Sequence, residues 1–228
     1  IHVRRASYPP FPWTRCTYMS GAKAWRKAPL RAGYLAAAMN FLGHLFLSGD
    51  DPLVITGNFM AYAVKGRDLS RFDPRLQQGI RLHRRIDTFT DAHRTEHTGR
   101  TALRTHTGHY APVVLDLFFD HLLAHQWERW HTEPLHRFAA RMYEVLQANA
   151  AHMPERTQRM LPFMVAGDWL TSYARLDGLA RALNGLSRRA VNGSRMAGAE
   201  QVLLDHRSQF EQEFEPFLQG IIVHVAEA

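Results

Sequence analysis

The spacing of the apolar residues limits this chain more than any other feature. They recur mostly at intervals of three and four, not two. In Arg137–Leu146 (RFAARMYEVL) the residues Phe138, Met142, Val145 and Leu146 fall on one face of a helix. Between Val113 and Trp130 a second stripe runs through Val113, Leu117, Phe118, Leu122 and Trp127. Hairpin dipeptides between alternating runs are absent. The spacing therefore predicts an all-α chain, with helices over 40–48, 52–65, 74–92, 95–107, 111–130, 134–151, 154–166, 167–174, 175–190 and 196–217. Asp51-Pro52 has a capping residue before a helix-start proline, and Asp73-Pro74, Ala111-Pro112 and Met153-Pro154 offer the same first-turn proline. Gly66, Gly108 and Gly193 suit C-terminal stops. No linker, repeat or low-complexity tract divides residues 39–228, so one helical-bundle domain is expected there. The end, Ile221 to Ala228, is apolar and is expected to pack or fray.

Charge separates the first 38 residues from the others. They hold Arg4, Arg5, Arg15, Lys23, Arg26, Lys27 and Arg31 and no acid. The chain has 28 basic and 21 acidic residues; removing those seven leaves 21 of each in residues 39–228. The whole excess of +7 thus belongs to the leader. A neutral body argues against a nucleic-acid partner. Three readings of residues 1–38 compete: a signal peptide, an organelle transit peptide, and upstream sequence ahead of a start at Met39. The last is the expectation. No apolar run reaches the roughly 18 residues of a membrane helix, so no membrane partner is expected. The single Cys, Cys16, lies in the leader. Disulfides, Cys-ligated zinc, iron–sulfur clusters and Cys nucleophiles are thereby excluded from the body. Any metal chemistry there falls to carboxylates and to the His of residues 39–228, all but one (His2) of the chain's 14.

Three constellations carry that chemistry. In His83-Arg-Arg-Ile-Asp87-Thr-Phe-Thr-Asp91, residues four apart drift by only about 40° around a helix, so His83, Asp87 and Asp91 share a face. Imidazole with nearby carboxylates suits a divalent cation of the Mn, Fe or Mg kind. The plainer alternative is a His–Asp surface pair worth a few tenths of a kcal/mol. In Asp116-Leu-Phe-Phe-Asp120-His121-Leu-Leu-Ala-His125, two carboxylates stand inside an apolar stretch. Such groups are metal-bound, protonated, capping or ion-paired. The third is His44, in MNFLGHLFL; a lone histidine on an apolar helix is either a ligand or a satisfied core residue. Convergence of the three inside a bundle would resemble a di-metal site. Arg188-Arg189 either holds a phosphate or caps a helix. No phosphate loop, nucleophile elbow or dinucleotide fingerprint is present.

At these residues the chain resembles the acyl carrier protein phosphodiesterases, distant relatives of the HD-domain metal phosphohydrolases. The matching segments are MNFLGHLFLSGD from Met39, GNFMAYAVKGR from Gly57, GIRLHRRIDTFTD from Gly79, GHYAPVVLDLFFDHLLAHQW from Gly108, PERTQRMLPFM from Pro154 and LNGLSRR from Leu183. They run in order through residues 39–217, from Met39 to Arg189. The resemblance implies an HD-like all-α fold and a cytoplasmic hydrolase that removes 4′-phosphopantetheine from holo-acyl carrier protein, with a divalent cation, typically manganese. It also implies that His44, His83, Asp87, Asp116, Asp120 and His121 occupy motif positions. On this reading His44, His83, Asp87 and Asp120 hold the metal, while Asp116, His121 or Asp91 handles the water or the leaving serine. Lys65, Arg67, Arg84, Arg85, Arg188 and Arg189 meet the phosphate or the acidic carrier.

One position departs from the family pattern, which has Asp where this chain has Tyr62. A tyrosine supplies no ionised oxygen at neutral pH, its reference pKa being about 10. A catalytically impaired carrier-binding protein is therefore the alternative, with an HD-type nucleotide hydrolase behind it.

Overall fold

The computed structural model describes residues 41–93, 99–190 and 195–227. The leader, Cys16, Met39 and Gly193 lie outside the described residues. Within them the chain is all-α: eleven α-helices and four short 3-10 turns, with no β-strand. In chain order the helices are α1 (Phe41–Phe46), α2 (Pro52–Met60), α3 (Pro74–His93), α4 (Gly99–Thr107), α5 (Ala111–His125), α6 (Leu135–Ala148), α7 (Glu155–Ala166), α8 (Trp169–Ser172), α9 (Leu176–Ser187), α10 (Glu200–Asp205) and α11 (Arg207–Ala226). Among the described residues no helix is long and apolar enough to cross a membrane.

The helix starts follow their local chemistry. The Asp51 carboxylate accepts the backbone N–H groups of Leu53 (2.9 Å) and Val54 (3.1 Å), and Pro52 takes the first turn, where an N–H would have no partner. Asp73 does the same for Arg75 N at 2.8 Å. Pro154 stands one residue earlier than expected, at the cap of α7 rather than within it. Several lengths differ from the periodic reading. The predicted 52–65 helix ends at Met60 and tightens into a 3-10 turn, Ala61–Ala63. The predicted 111–130 helix stops at His125. The predicted 196–217 helix is two helices, broken at His206, whose backbone (φ −122°, ψ 24°) leaves the helical region. Its second half continues to Ala226 because Leu218 and Ile221 extend the buried stripe of Phe210, Phe214 and Phe217. The terminal segment is thus helical to Ala226, with Ile221 buried and Val223 exposed; Ala228 lies outside the described residues.

Two features position the site. The first is α5, buried along almost its whole length and flanked by α1, α4, α9 and α11. A helix apolar all round belongs in the middle of a bundle. The second is the crossing of α2 and α3, the most extensive helix pair among the described residues. A Cβ on Gly57 would lie 2.3 Å from the Leu76 carbonyl oxygen, and one on Gly79 would lie 2.2 Å from that of Val54. Real Cβ atoms do not approach so closely, so the backbones meet only because both residues are glycine. This crossing draws Asn58, beside Gly57, against His83, one turn beyond Gly79.

Gly79→Ala forces the two backbones apart and is expected to cost about 1–3 kcal/mol in urea unfolding. Gly185→Ala in α9 meets nothing within 4 Å and is expected to be neutral or stabilising by up to about 1 kcal/mol. Equal effects of the two substitutions would contradict the crossing argument.

Candidate metal centre

His44 on α1 and His83 on α3 are buried, and their rings stack with centroids 4.0 Å apart at 27°. Each turns Nδ1 toward one oxygen: His44 Nδ1 lies 2.9 Å, and His83 Nδ1 3.1 Å, from Asn58 Oδ1. Each turns Nε2 toward Asp87, His44 at 3.4 Å from Oδ1 and His83 at 3.4 Å from Oδ2. Both Nε2 atoms are buried and make no hydrogen bond. One ligand atom from each of His44, His83 and Asp87 falls within 4.8 Å of the others, the only such group of three among the described residues. Asp87 keeps 40% side-chain exposure, so the group opens to solvent on that side. Burial, reinforced by the neighbouring His44, holds the His83 ring down at about 3 despite Asp87. Its ring is neutral at physiological pH.

Two buried nitrogens that make no hydrogen bond are costly as they stand. Facing a carboxylate, they form a donor set that a divalent cation satisfies, with neutral imidazole and hard oxygen as ligands. The residues fit such an ion.

The other predicted site residues are not part of this group of three, although Asp116 and Asp120 line a cavity with His44. Asp120 is buried, and its carboxylate accepts Gly43 N at 2.9 Å and Leu42 N at 3.1 Å, stitching α5 to the first turn of α1. Burial pushes its carboxyl well above the usual range, against the two N–H bonds that favour its charge. It is not among the three groups that converge. Asp116, also buried, lines with Asp120, His44 and Thr90 a cavity of about 40 Å³, room for roughly one water. His121 is directed differently. Its Nδ1 lies 2.7 Å from the Tyr173 carbonyl oxygen, and with His125, Leu203 and Arg207 it lines a separate cavity. Burial lowers its pKa. Asp91 is exposed, one turn beyond Asp87 on α3.

Of the basic residues, Arg84 donates to the Gly66 carbonyl (2.7 Å), and Arg85 donates to those of His224 and Val225 (3.0 Å each), capping α11. Arg189 is half-buried and donates to Gly185 O at 3.1 Å. Lys65, Arg67 and Arg188 are exposed. The Tyr62 ring packs edge-on against Phe41 (5.9 Å), its hydroxyl meets Met160 Sδ at 3.6 Å, and Arg156 lies over its face. His44, His83 and Asp87 come together without it.

Sequence reading missed Asn58. Its signal was present as an amide inside the apolar run of α2, a residue that must find buried partners.

Residues 39–221 match the acyl carrier protein phosphodiesterase family. Curated proteins of that name are similar over most of the chain. The one from Photorhabdus laumondii is 31% identical over 180 residues, 78% of this chain and 91% of its own length. The one from Pectobacterium atrosepticum is 32% identical over 180 residues, 78% and 93%. The one from Salmonella dublin is 28% identical over 189 residues, 82% and 98%. No solved structure matches.

The depressed pKa of His83 has a sign that can be tested. Its folded value is about 3 against 6.5 ordinarily, so the unfolded chain binds the extra proton throughout that window and stability falls as pH drops through it. Chelator-treated protein is expected to lose thermal stability from about pH 7 to about pH 4, and His83→Gln to lose less over the same range. Equal losses would contradict the assignment.

Proposed function

The chain belongs to the acyl carrier protein phosphodiesterase family, and on that premise we propose that it hydrolyses the phosphodiester of holo-acyl carrier protein. The products are 4′-phosphopantetheine and apo-carrier, and a divalent cation is held by His44, His83 and Asp87. The observation that carries the metal half of this reading is the pair of buried Nε2 atoms that make no hydrogen bond and face one half-exposed carboxylate at 3.4 Å. The cation, manganese in this reading, supplies Lewis-acid polarisation of the phosphate and offsets its charge.

The chain's own residues do the remaining work. Asp87 gives the centre its solvent-facing side, so the phosphate approaches there. Asp91, exposed and one turn along α3, is the carboxylate best disposed to hold a water or hand a proton to the departing serine oxygen. Asp116, buried under α1, and His121, turned toward the α9 side, are less well disposed. Asp120 acts by fixing α1, and so His44. Lys65 and Arg67, exposed in the segment between α2 and α3, attract the acidic carrier. Arg84 stiffens that segment through the Gly66 carbonyl, while Arg85 caps the end of α11. A soluble carrier as substrate implies a cytoplasmic reaction.

With Mn²⁺ and holo-carrier, the full-length protein is expected to release phosphopantetheine, read as the mass loss of the carrier. Asp87→Asn is expected to reduce turnover by at least the roughly 10–100-fold typical of disturbing a metal's surroundings. No release by metal-loaded wild type, or undiminished release by Asp87→Asn, would contradict the proposal. Release seen only in Tyr62→Asp would favour a carrier-binding protein impaired at that position.

A further inference from the structure

We propose that Asn58 is a positioning residue that sets the tautomer of both histidines in the candidate metal centre, and so aims two bare nitrogens at one point. The metal part of this inference rests on the function proposed above; the tautomer part stands on hydrogen bonding alone.

The orientation of the Asn58 amide follows from its other neighbours. One amide end lies 2.9 Å from the His44 carbonyl oxygen and 2.9 Å from Ser48 Oγ. A carbonyl oxygen only accepts. Ser48 Oγ gives its one proton to the same His44 carbonyl at 2.8 Å, so toward Asn58 it too accepts. The group facing both must be the Nδ2 amide, which spends its two protons on them. Oδ1 is therefore the end that faces the imidazoles. Having lone pairs and no proton, it can only receive hydrogen bonds from His44 Nδ1 and His83 Nδ1. Whenever one of these rings carries a single proton, that proton thus sits on Nδ1, and Nε2 keeps its lone pair. Both Nε2 atoms point toward Asp87.

A metal-ligating histidine commonly gives its other ring N–H to a carbonyl or carboxylate, which fixes tautomer and ring angle. Here one amide oxygen serves two rings at once. It also links the separate helices α1 and α3 through α2. No member of this network is exposed, so water cannot replace a lost partner without rearrangement.

The test uses full-length, ¹⁵N-labelled, metal-free protein and long-range ¹H–¹⁵N spectra of the imidazoles. Both His44 and His83 are expected in the Nδ1–H form. Asn58→Ala is expected to mix the tautomers and weaken Mn²⁺ binding by about 10–100-fold. Asn58→Asp keeps an acceptor toward both rings, and is expected to retain the Nδ1–H form and bind Mn²⁺ more tightly than Asn58→Ala. This second variant separates positioning from a bulk folding defect, because it loses the same two donated bonds. An Nε2–H form of either ring in the wild type overturns the proposal. So does Asn58→Ala with unchanged tautomers and unchanged Mn²⁺ affinity. If the wild type shows the Nδ1–H form yet binds no Mn²⁺, the metal reading fails and the tautomer assignment is supported.

Discussion

The candidate site depends on one amide oxygen shared by two imidazoles. Asn58 stands on α2, His44 on α1 and His83 on α3, and its Oδ1 lies within 3.1 Å of both rings. That reach requires α2 and α3 to approach with nothing between their backbones, which the facing glycines Gly57 and Gly79 allow. A larger residue at either position would add a Cβ inside a carbonyl's contact distance. The chemistry of the site and the packing of two helices are thus one constraint. Buried polar networks hold a unique arrangement when every member is satisfied, and cost stability when one is not. Here every member is satisfied except the two Nε2 atoms, and that exception points to a ligand.

Helix α1 shows how the constraint spreads. With six residues it is far too short to persist alone. It is fastened at both ends. Asp120, from the buried α5, accepts its first-turn N–H groups, while Asn58 and Ser48 engage the His44 carbonyl near its end. His44 is thereby held in place by helices that are themselves core. Asp120 holds the first turn of α1 through the two N–H groups it accepts.

How much of this was legible in the sequence depended on whether a question concerned one helix or several. The all-α class and the shared face of His83 and Asp87 follow from the 3.6-residue period alone, and both appear in the structure. Which neighbour a face meets is a tertiary matter. On α5, apolar in every direction, periodicity marks no face as the inner one, so it could not say that Asp120 turns to α1 while His121 turns to the Tyr173 carbonyl. Arg85 read as a surface cation because the carbonyls it caps lie at the far end of the chain. The single helix expected over 196–217 broke because α10 and α11 pack on different partners, α10 on α9 and α4, α11 on α3 and α5. Asn58 went unassigned because its partners sit on two other helices, and no spacing within α2 discloses them.

The most direct measurement of the central claim is anomalous diffraction from crystals of the full-length protein grown with Mn²⁺. The account predicts a peak about 2–2.3 Å from the Nε2 atoms of both His44 and His83 and from an Asp87 oxygen. A peak between Asp116 and Asp120, or none near His44 and His83, would contradict it.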